Sequence, residues 1–139
     1  MTIDYQDLIG APYEYDADGP SAFNCAGIVR EVFRRAGWST RFLPSKENEA
    51  SLYITNVLGD PKMHPWDQVQ SCPEGRVTKR LLFGDVVLSR GCSGSHVSVV
   101  VDEKHQLALS AGSQIGVFST PTNRLAFAQA VYRLQEEAR

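Results

Sequence analysis

The chain has 139 residues and a mass of 15.4 kDa, the size of one ordinary domain that can enclose a hydrophobic core without disulfide or metal staples. Hydrophobic residues make up 42% and charged residues 22%, and the formal net charge is -2, which excludes a disordered, collagen-like or coiled-coil chain. A pI near 5.9 supplies no general positive field, so we expect no nucleic-acid partner.

Membrane and redox signals are weak in this sequence. No run approaches the length of about 20 apolar residues that spans a bilayer, and the segment Met1–Asp7 lacks the basic and apolar regions of a signal peptide. We therefore expect no membrane span and a chain that is cytoplasmic as synthesised. The odd set Cys25, Cys72 and Cys92 has no CxxC spacing, so we predict no metal and no cofactor, and at least one free thiol. A bridge between Cys72 and Cys92 stays open.

The front half of the chain is predicted to be helical, with loops. Thr2 can cap a short helix that ends at Gly10, and apolar positions at helical spacing predict a second helix over Cys25–Ala36. A third helix over Ser45–Leu58 competes with a strand, because the segment contains several β-branched and aromatic residues. The stretch Pro61–Lys79 shows no periodicity and is interpreted as a long connection with short turns.

The back half of the chain carries strand patterns. Five runs alternate or are rich in β-branched residues, and turn residues separate them. They are Asp85–Ser89, His96–Asp102, Gln106–Ala111, Ile115–Ser119 and Ala130–Leu134. Because helices come first and strands later, the sequence predicts an α+β domain with an antiparallel sheet and disfavours a parallel doubly wound one.

Cys25 and His96 are the candidate chemical groups. Cys25 begins a predicted helix, where unpaired amides and the helix dipole stabilise a thiolate, although a buried structural cysteine is the commoner case. In the run that begins at His96, alternation places His96, Ser98 and Val100 on one face of the strand. We expect this imidazole to face the helix start and to form a Cys-His pair.

Four segments resemble the NlpC/P60 family, papain-like cysteine peptidases of bacterial cell-wall peptides. They are Gly10-Ala-Pro-Tyr13, Phe23-Asn-Cys25-Ala-Gly27, Gly84-Asp-Val-Val-Leu88 and His96-Val-Ser-Val-Val. The resemblance implies a papain-like NlpC/P60 fold, with N-terminal helices packed on a C-terminal antiparallel sheet of about five strands. It implies a single catalytic domain over 1–139, with an insertion at 39–80.

The resemblance also implies roles for four residues. Cys25 would be the nucleophile, His96 the general base that becomes the general acid, and Tyr13 a hydroxyl donor near the oxyanion. Alignment with the family's third catalytic position, often a histidine, places Ser110 there. Serine orients an imidazole more weakly than a histidine, so Gln114 or a backbone carbonyl is an alternative orienter.

Two further positions depart from the family. Asn24 stands where Asp is common and Ala26 where Ser is common, although an asparagine can still cap the helix.

The leading functional prediction is a cysteine endopeptidase or amidase that cleaves amide bonds in peptidoglycan stem peptides or muropeptides. The partners foreseen are this substrate and a phage tail or secretion apparatus, which would carry the protein on a virion or export it by a non-classical route. One alternative is a papain-like binding or assembly module with little or no hydrolysis. Another is a CHAP amidase or acyltransferase that uses the same Cys-His pair.

Overall fold

The computed structural model describes residues 1–43, 65–91 and 94–139, with the backbone alone for Gly91, Gly94 and Ser95. In this part of the chain, one α-helix packs on a six-stranded sheet, which confirms the predicted α+β class. None of the described helices is long and apolar enough to cross a membrane.

The helix α1 spans Cys25–Arg35 and confirms the helix predicted from Cys25 to Ala36. It begins where the Asn24 side chain accepts a hydrogen bond from the Gly27 N–H at 2.6 Å, which satisfies an amide that has no partner within the helix. Its buried stripe includes Ile28, Val32 and Phe33, each 0% exposed.

The predicted N-terminal helix over Thr2–Gly10 is wrong in extent. Only a 3₁₀ turn forms, over Gln6–Leu8, and its N-cap residue is Tyr5 rather than Thr2. A short helix has few hydrogen bonds to offset the cost of its first turn, and the structure retains only the turn that buries Leu8. The helix or strand predicted over Ser45–Leu58 lies outside the described residues.

The sheet has the strand order β1-β6-β2-β3-β4-β5 and every neighbouring pair is antiparallel. All five predicted strands are present, as β2 to β6. The six strands are β1 (Trp66–Ser71), β2 (Val86–Gly91), β3 (Gly94–Asp102), β4 (Leu107–Gly112), β5 (Gly116–Pro121) and β6 (Ala128–Leu134).

The strand β1 corrects two expectations, the sheet of about five strands and the connection over Pro61–Lys79. Among the described strands, it lies at the edge of the sheet and pairs with β6, with an irregularity between Gln68 and Gln70. Much of the strand is polar and exposed, so no apolar alternation marked it. Its pairing with β6 makes this part of the predicted insertion at 39–80 integral to the sheet.

Alternation along the strands gives the sheet two faces with separate cores. The helix face carries Val97, Val99 and Val101, which pack in one cluster with α1. The far face carries Val87, Val100, Ala108 and Val131 in a second cluster without α1 residues. Residues paired across strands, such as Ser89 and His96, share a face.

The Gly-Asp motif before β2 links this strand to β6 and packs against Trp38. Asp85 is fully buried and accepts two hydrogen bonds of 2.8 Å from the Arg133 guanidinium on β6, and another of 2.9 Å from the Leu82 N–H. Gly84 has φ +82°, and a Cβ there would collide with the Trp38 ring, so glycine is required.

Candidate active site

The first turn of α1 is tied to the loop that precedes it. The Asn24 N–H donates to the Ala17 carbonyl at 2.8 Å, and the Asn24 side-chain amide donates to the Tyr15 carbonyl at 2.8 Å. A Cβ at Gly27 would lie 2.7 Å from the Ala17 oxygen, too close for any side chain. The asparagine and the glycine that flank Cys25 therefore fix where the cysteine sits.

Tyr13 is brought to the same helix start by backbone pairing. Tyr13 forms a parallel bridge with Phe23, and the Phe23 N–H donates to the Pro12 carbonyl at 2.9 Å. The preceding residues are attached to β5, because the Gly10 N–H donates to the Val117 carbonyl at 2.8 Å. The half-buried Tyr13 packs against the helix-face cluster, which also contains Cys25.

Cys25 itself is 0% exposed and belongs to the cluster that joins α1 to the helix face. It is the first residue of α1, as predicted. The electropositive end of the helix dipole lies at this position and favours negative charge on a nearby sulfur. In the structure as it stands, a substrate would need a local opening to reach the thiol.

His96 and Ser110 are brought together on the far face. Cross-strand pairing and alternation direct His96, Ser98 and Ser110 to this face, where all three line a cavity of about 290 Å³. The Ser98 and Ser110 hydroxyls lie 2.6 Å apart and share a hydrogen bond. Ser98 also occupies the far face but was not singled out as a site residue from the sequence, because a serine between valines is equally typical of a solvated strand position.

The electrostatics of the cavity favour an uncharged imidazole. Burial lowers the pKa of His96 below its usual value, because a desolvated imidazolium is disfavoured. Among the described residues, the His96 ring has no hydrogen-bond or ion-pair partner, and Ser110 is bonded to Ser98 instead. Gln114, the alternative orienter, is exposed in the turn between β4 and β5.

The structure thus brings the predicted residues together as two pairs. Tyr13 and Cys25 lie at the helix start, on the helix face, whereas His96 and Ser110 lie on the far face. We expected the imidazole to face α1, and this expectation is wrong. In the register of β3, Val97, Val99 and Val101 face the helix, and His96 points to the far face. His96 is the third residue of β3, so it lies close to the end of the sheet.

Comparison with models of known protein families shows which family this chain belongs to. A model of the NlpC/P60 family matches residues 10–131, most of the chain. The chain belongs to the NlpC/P60 family. NlpC/P60 proteins are generally cell-wall peptidases, and typically cysteine peptidases or amidases.

Structural similarity agrees with this assignment. The structure of NlpC2 from Trichomonas vaginalis matches with a TM-score of 0.59 and 14% sequence identity, over 91% of this chain and 42% of that chain. This NlpC/P60 chain therefore spans less than half of the length of that protein, and at such identity the likeness shows the fold alone. No curated protein matches the chain.

The remaining cysteines and the exposed histidine lie apart from the two pairs. Cys72 is a buried free thiol, so it is not bridged to Cys92, which is outside the described residues. Burial raises the pKa of the Cys72 thiol. His105 is exposed and lies 2.9 Å from the Asp102 carboxylate, at the other end of β3 from His96.

Proposed function

We propose that this NlpC/P60 domain hydrolyses amide bonds in peptidoglycan stem peptides, with Cys25 as the nucleophile and His96 as the base. The observation that carries the proposal is the place of Cys25 at the first position of a capped helix, within the residues that match the family. A helix N-terminus is a site where cysteine thiolates are stabilised and therefore react with carbonyl carbon.

The reaction proposed is acyl transfer to water. His96 takes the proton from the Cys25 thiol, the sulfur attacks the amide carbonyl, and the protonated imidazole gives that proton to the departing amine. The resulting thioester is attacked by a water that His96 deprotonates, and the carboxylic acid product and the thiol are released. Because burial lowers the pKa of His96 and so disfavours the imidazolium, we propose that it acts as a general base rather than in a preformed ion pair.

Stabilisation of the oxyanion is proposed to come from the helix start. The Tyr13 hydroxyl and the backbone N–H groups of the first turn would donate to the developing negative charge. The pairing of Tyr13 with Phe23 supports this role, because it holds the tyrosine beside Phe23, which lies two residues before the nucleophile.

Catalysis also requires the two residue pairs to approach each other. His96 lies near the end of β3, so its ring can meet the sulfur only around the end of the sheet, and we propose that substrate binding brings them together. This approach is a larger rearrangement than the shortening of a catalytic hydrogen bond that often accompanies substrate binding.

A second candidate is a binding module of the same fold with little hydrolysis. The observation that favours it is the third catalytic position, where the Ser110 hydroxyl is bonded to Ser98 and not to the imidazole. An imidazole without an orienting partner is a weaker base.

Digestion of muropeptides separates the two candidates, with products identified by mass. We expect the wild type and Cys72→Ala to release the same products, and Cys25→Ala to release none. Cys72 is the matched control because it is also a buried thiol. Cleavage that survives in Cys25→Ala contradicts the mechanism. Muropeptide binding without cleavage by the wild type, across several wall chemotypes, favours the binding module.

A further inference from the structure

The turn between β3 and β4 carries an exposed histidine whose ring is held by a carboxylate. The His105 Nδ1 atom lies 2.9 Å from Asp102 Oδ2, and the His105 backbone N–H donates to Asp102 Oδ1 at 3.0 Å. The His105 side chain is 64% exposed. His105 follows the end of β3 opposite to His96, so the proposed hydrolysis does not use it.

The contacts with Asp102 fix the tautomer of the His105 ring. Hydrogen bonds from the His105 backbone and ring, and then from the Tyr5 hydroxyl, hold the pKa of Asp102 below its usual value. Asp102 is therefore a carboxylate, which only accepts hydrogen bonds, so Nδ1 must carry the hydrogen. In the neutral ring the lone pair then lies on Nε2. Among the described residues, Nε2 has no hydrogen-bond partner, so it can act as a nucleophile.

The backbone that presents His105 is fixed by its neighbour Gln106. The Gln106 side chain donates to the Leu81 carbonyl and accepts from the Leu81 N–H, both at 2.8 Å. It also donates to the Glu103 carbonyl at 2.7 Å, and the Gln106 carbonyl accepts from the Thr122 N–H at 2.8 Å. These bonds hold the turn to two other parts of the chain. A reactive side chain needs such a rigid support.

Two cations line the same cavity as His105. This cavity has a volume of about 420 Å³, and its lining includes Lys79 and Arg80 but no acidic residue of the described chain. Arg80 donates to the Glu103 carbonyl at 3.0 Å, and Lys79 donates to the Val69 carbonyl at 3.2 Å. Neither cation forms an ion pair with a described residue. Both therefore keep positive charge and further donors for an oxyanion that lies beside the imidazole.

From this arrangement we propose that His105 is a phosphoryl-acceptor site, at which Nε2 takes a phosphoryl group from a small donor with a P–N bond. A phosphoryl group fits the site better than a neutral electrophile does, because its oxygens carry the charge that Lys79 and Arg80 bind. The modification goes beyond the proposed hydrolysis and does not depend on it.

The proposed step forms one bond and breaks one. With phosphoramidate as the donor, the Nε2 lone pair attacks phosphorus, the P–N bond of the donor breaks, and its electron pair leaves on nitrogen. The donor reacts with its nitrogen protonated, so ammonia departs without a further proton. The imidazole gains one positive charge, which the Asp102 carboxylate stabilises through Nδ1–H. Arg80 and Lys79 bind the phosphoryl oxygens.

The test uses potassium phosphoramidate as the probe on the folded wild-type chain. Phosphohistidine is quantified at each of the three histidines by mass spectrometry of alkaline digests. We expect His105 to be phosphorylated at least about tenfold faster than His64 and His96, the range in which an orienting carboxylate acts. Mild acid should remove the group, which distinguishes it from a phosphate on serine or threonine.

Variants separate the contribution of the site from simple exposure. Asp102→Asn removes the negative charge on the ring and should lower the rate at His105 about tenfold. Arg80→Gln should also lower the rate, and Arg80→Lys should restore part of it. Arg76→Gln is the matched control, because it removes a positive charge from the same segment and Arg76 does not line the cavity. Urea unfolding checks that each variant is folded.

Three outcomes would overturn the proposal. Equal rates at His105 and His64 would mean that the probe reports exposure alone. An undiminished rate in folded Asp102→Asn would remove the role of the carboxylate. Equal losses in Arg80→Gln and Arg76→Gln would indicate a general effect of positive charge. If Asp102→Asn does not fold, the two arginine variants decide by themselves.

Discussion

The two faces of the sheet are built from the same strands but have different compositions. On the helix face, Val97 and Val99 meet α1 in a closed apolar layer. On the far face, Ser98 between them lines a cavity together with His96. Alternation of side chains along a strand lets one segment supply both surfaces.

Both faces contain buried apolar clusters, but only the far face has a cavity beside its side chains. Apolar burial under α1 stabilises the fold by about 25 cal/mol per Å² of apolar area, and the cavity on the far face contributes less of this area because it leaves space beside its side chains. The sheet can therefore carry the His96 imidazole and the Ser98 and Ser110 hydroxyls on one side while the other side holds the helix that bears Cys25.

The largest expected difference between the two faces is obtained by truncating one phenylalanine on each face to alanine. Phe33 of α1 is 0% exposed, so Phe33→Ala should reduce the free energy of unfolding by about 3–5 kcal/mol. Phe118 lines the cavity and is partly exposed. Phe118→Ala should therefore reduce the free energy of unfolding by less than about half of the loss in Phe33→Ala. Urea unfolding of the two variants measures both values.

If Phe118→Ala lowers the free energy of unfolding as much as Phe33→Ala does, the description is wrong. The far face would then be as closely packed around Phe118 as the helix face is around Phe33. Wild-type protein in the same denaturant series is the reference, and unchanged m-values keep the comparison valid.

A smaller effect is expected in the pH dependence of the free energy of unfolding, because His96 lies on the far face. Burial lowers the pKa of His96 in the folded protein, whereas the unfolded chain should titrate near the usual value of about 6.5. Below that pH the unfolded state binds the extra proton first, so acidification favours unfolding until the pH passes the lower folded pKa. One such proton changes the unfolding free energy by at most about 1.4 kcal/mol per pH unit.

The measurement compares wild type with His96→Gln by urea unfolding at pH 7.5 and 5.5. Carboxylates titrate equally in both proteins, so the difference between them isolates the histidine. We expect acidification to destabilise the wild type more than His96→Gln. A greater loss in the variant would mean that the imidazolium is stabilised in the folded state, and the account of the cavity would be wrong.

The sequence predicted the elements whose signal is local. The strands β2 to β6 show β-branched alternation, and α1 shows apolar spacing with a cap at Asn24. The edge strand β1 could not be predicted in this way, since Asp67, Gln68 and Gln70 are polar and the strand depends on pairing with β6.

For the site, the sequence predicted the types of residue better than their relative orientation. Alternation correctly separated His96 and Ser98 from Val97 and Val99, but it could not say which face the helix would cover. That choice depends on the summed apolar area of each face, which only the folded sheet shows.

The central claim is that Cys25 is the activated thiol of this chain, and alkylation with iodoacetamide at pH 7 tests it most directly. Cys25 is 0% exposed and Cys72 is 5% exposed, so access alone would favour Cys72, which also lines a cavity of about 510 Å³. Both thiols are buried, but Cys25 lies at the start of α1, where the helix N-terminus promotes the thiolate, whereas burial alone acts on Cys72 and raises its pKa. We therefore expect Cys25 to be alkylated at least about tenfold faster, as read from its peptide by mass spectrometry. Alkylation of Cys72 at the same rate or faster would contradict the claim.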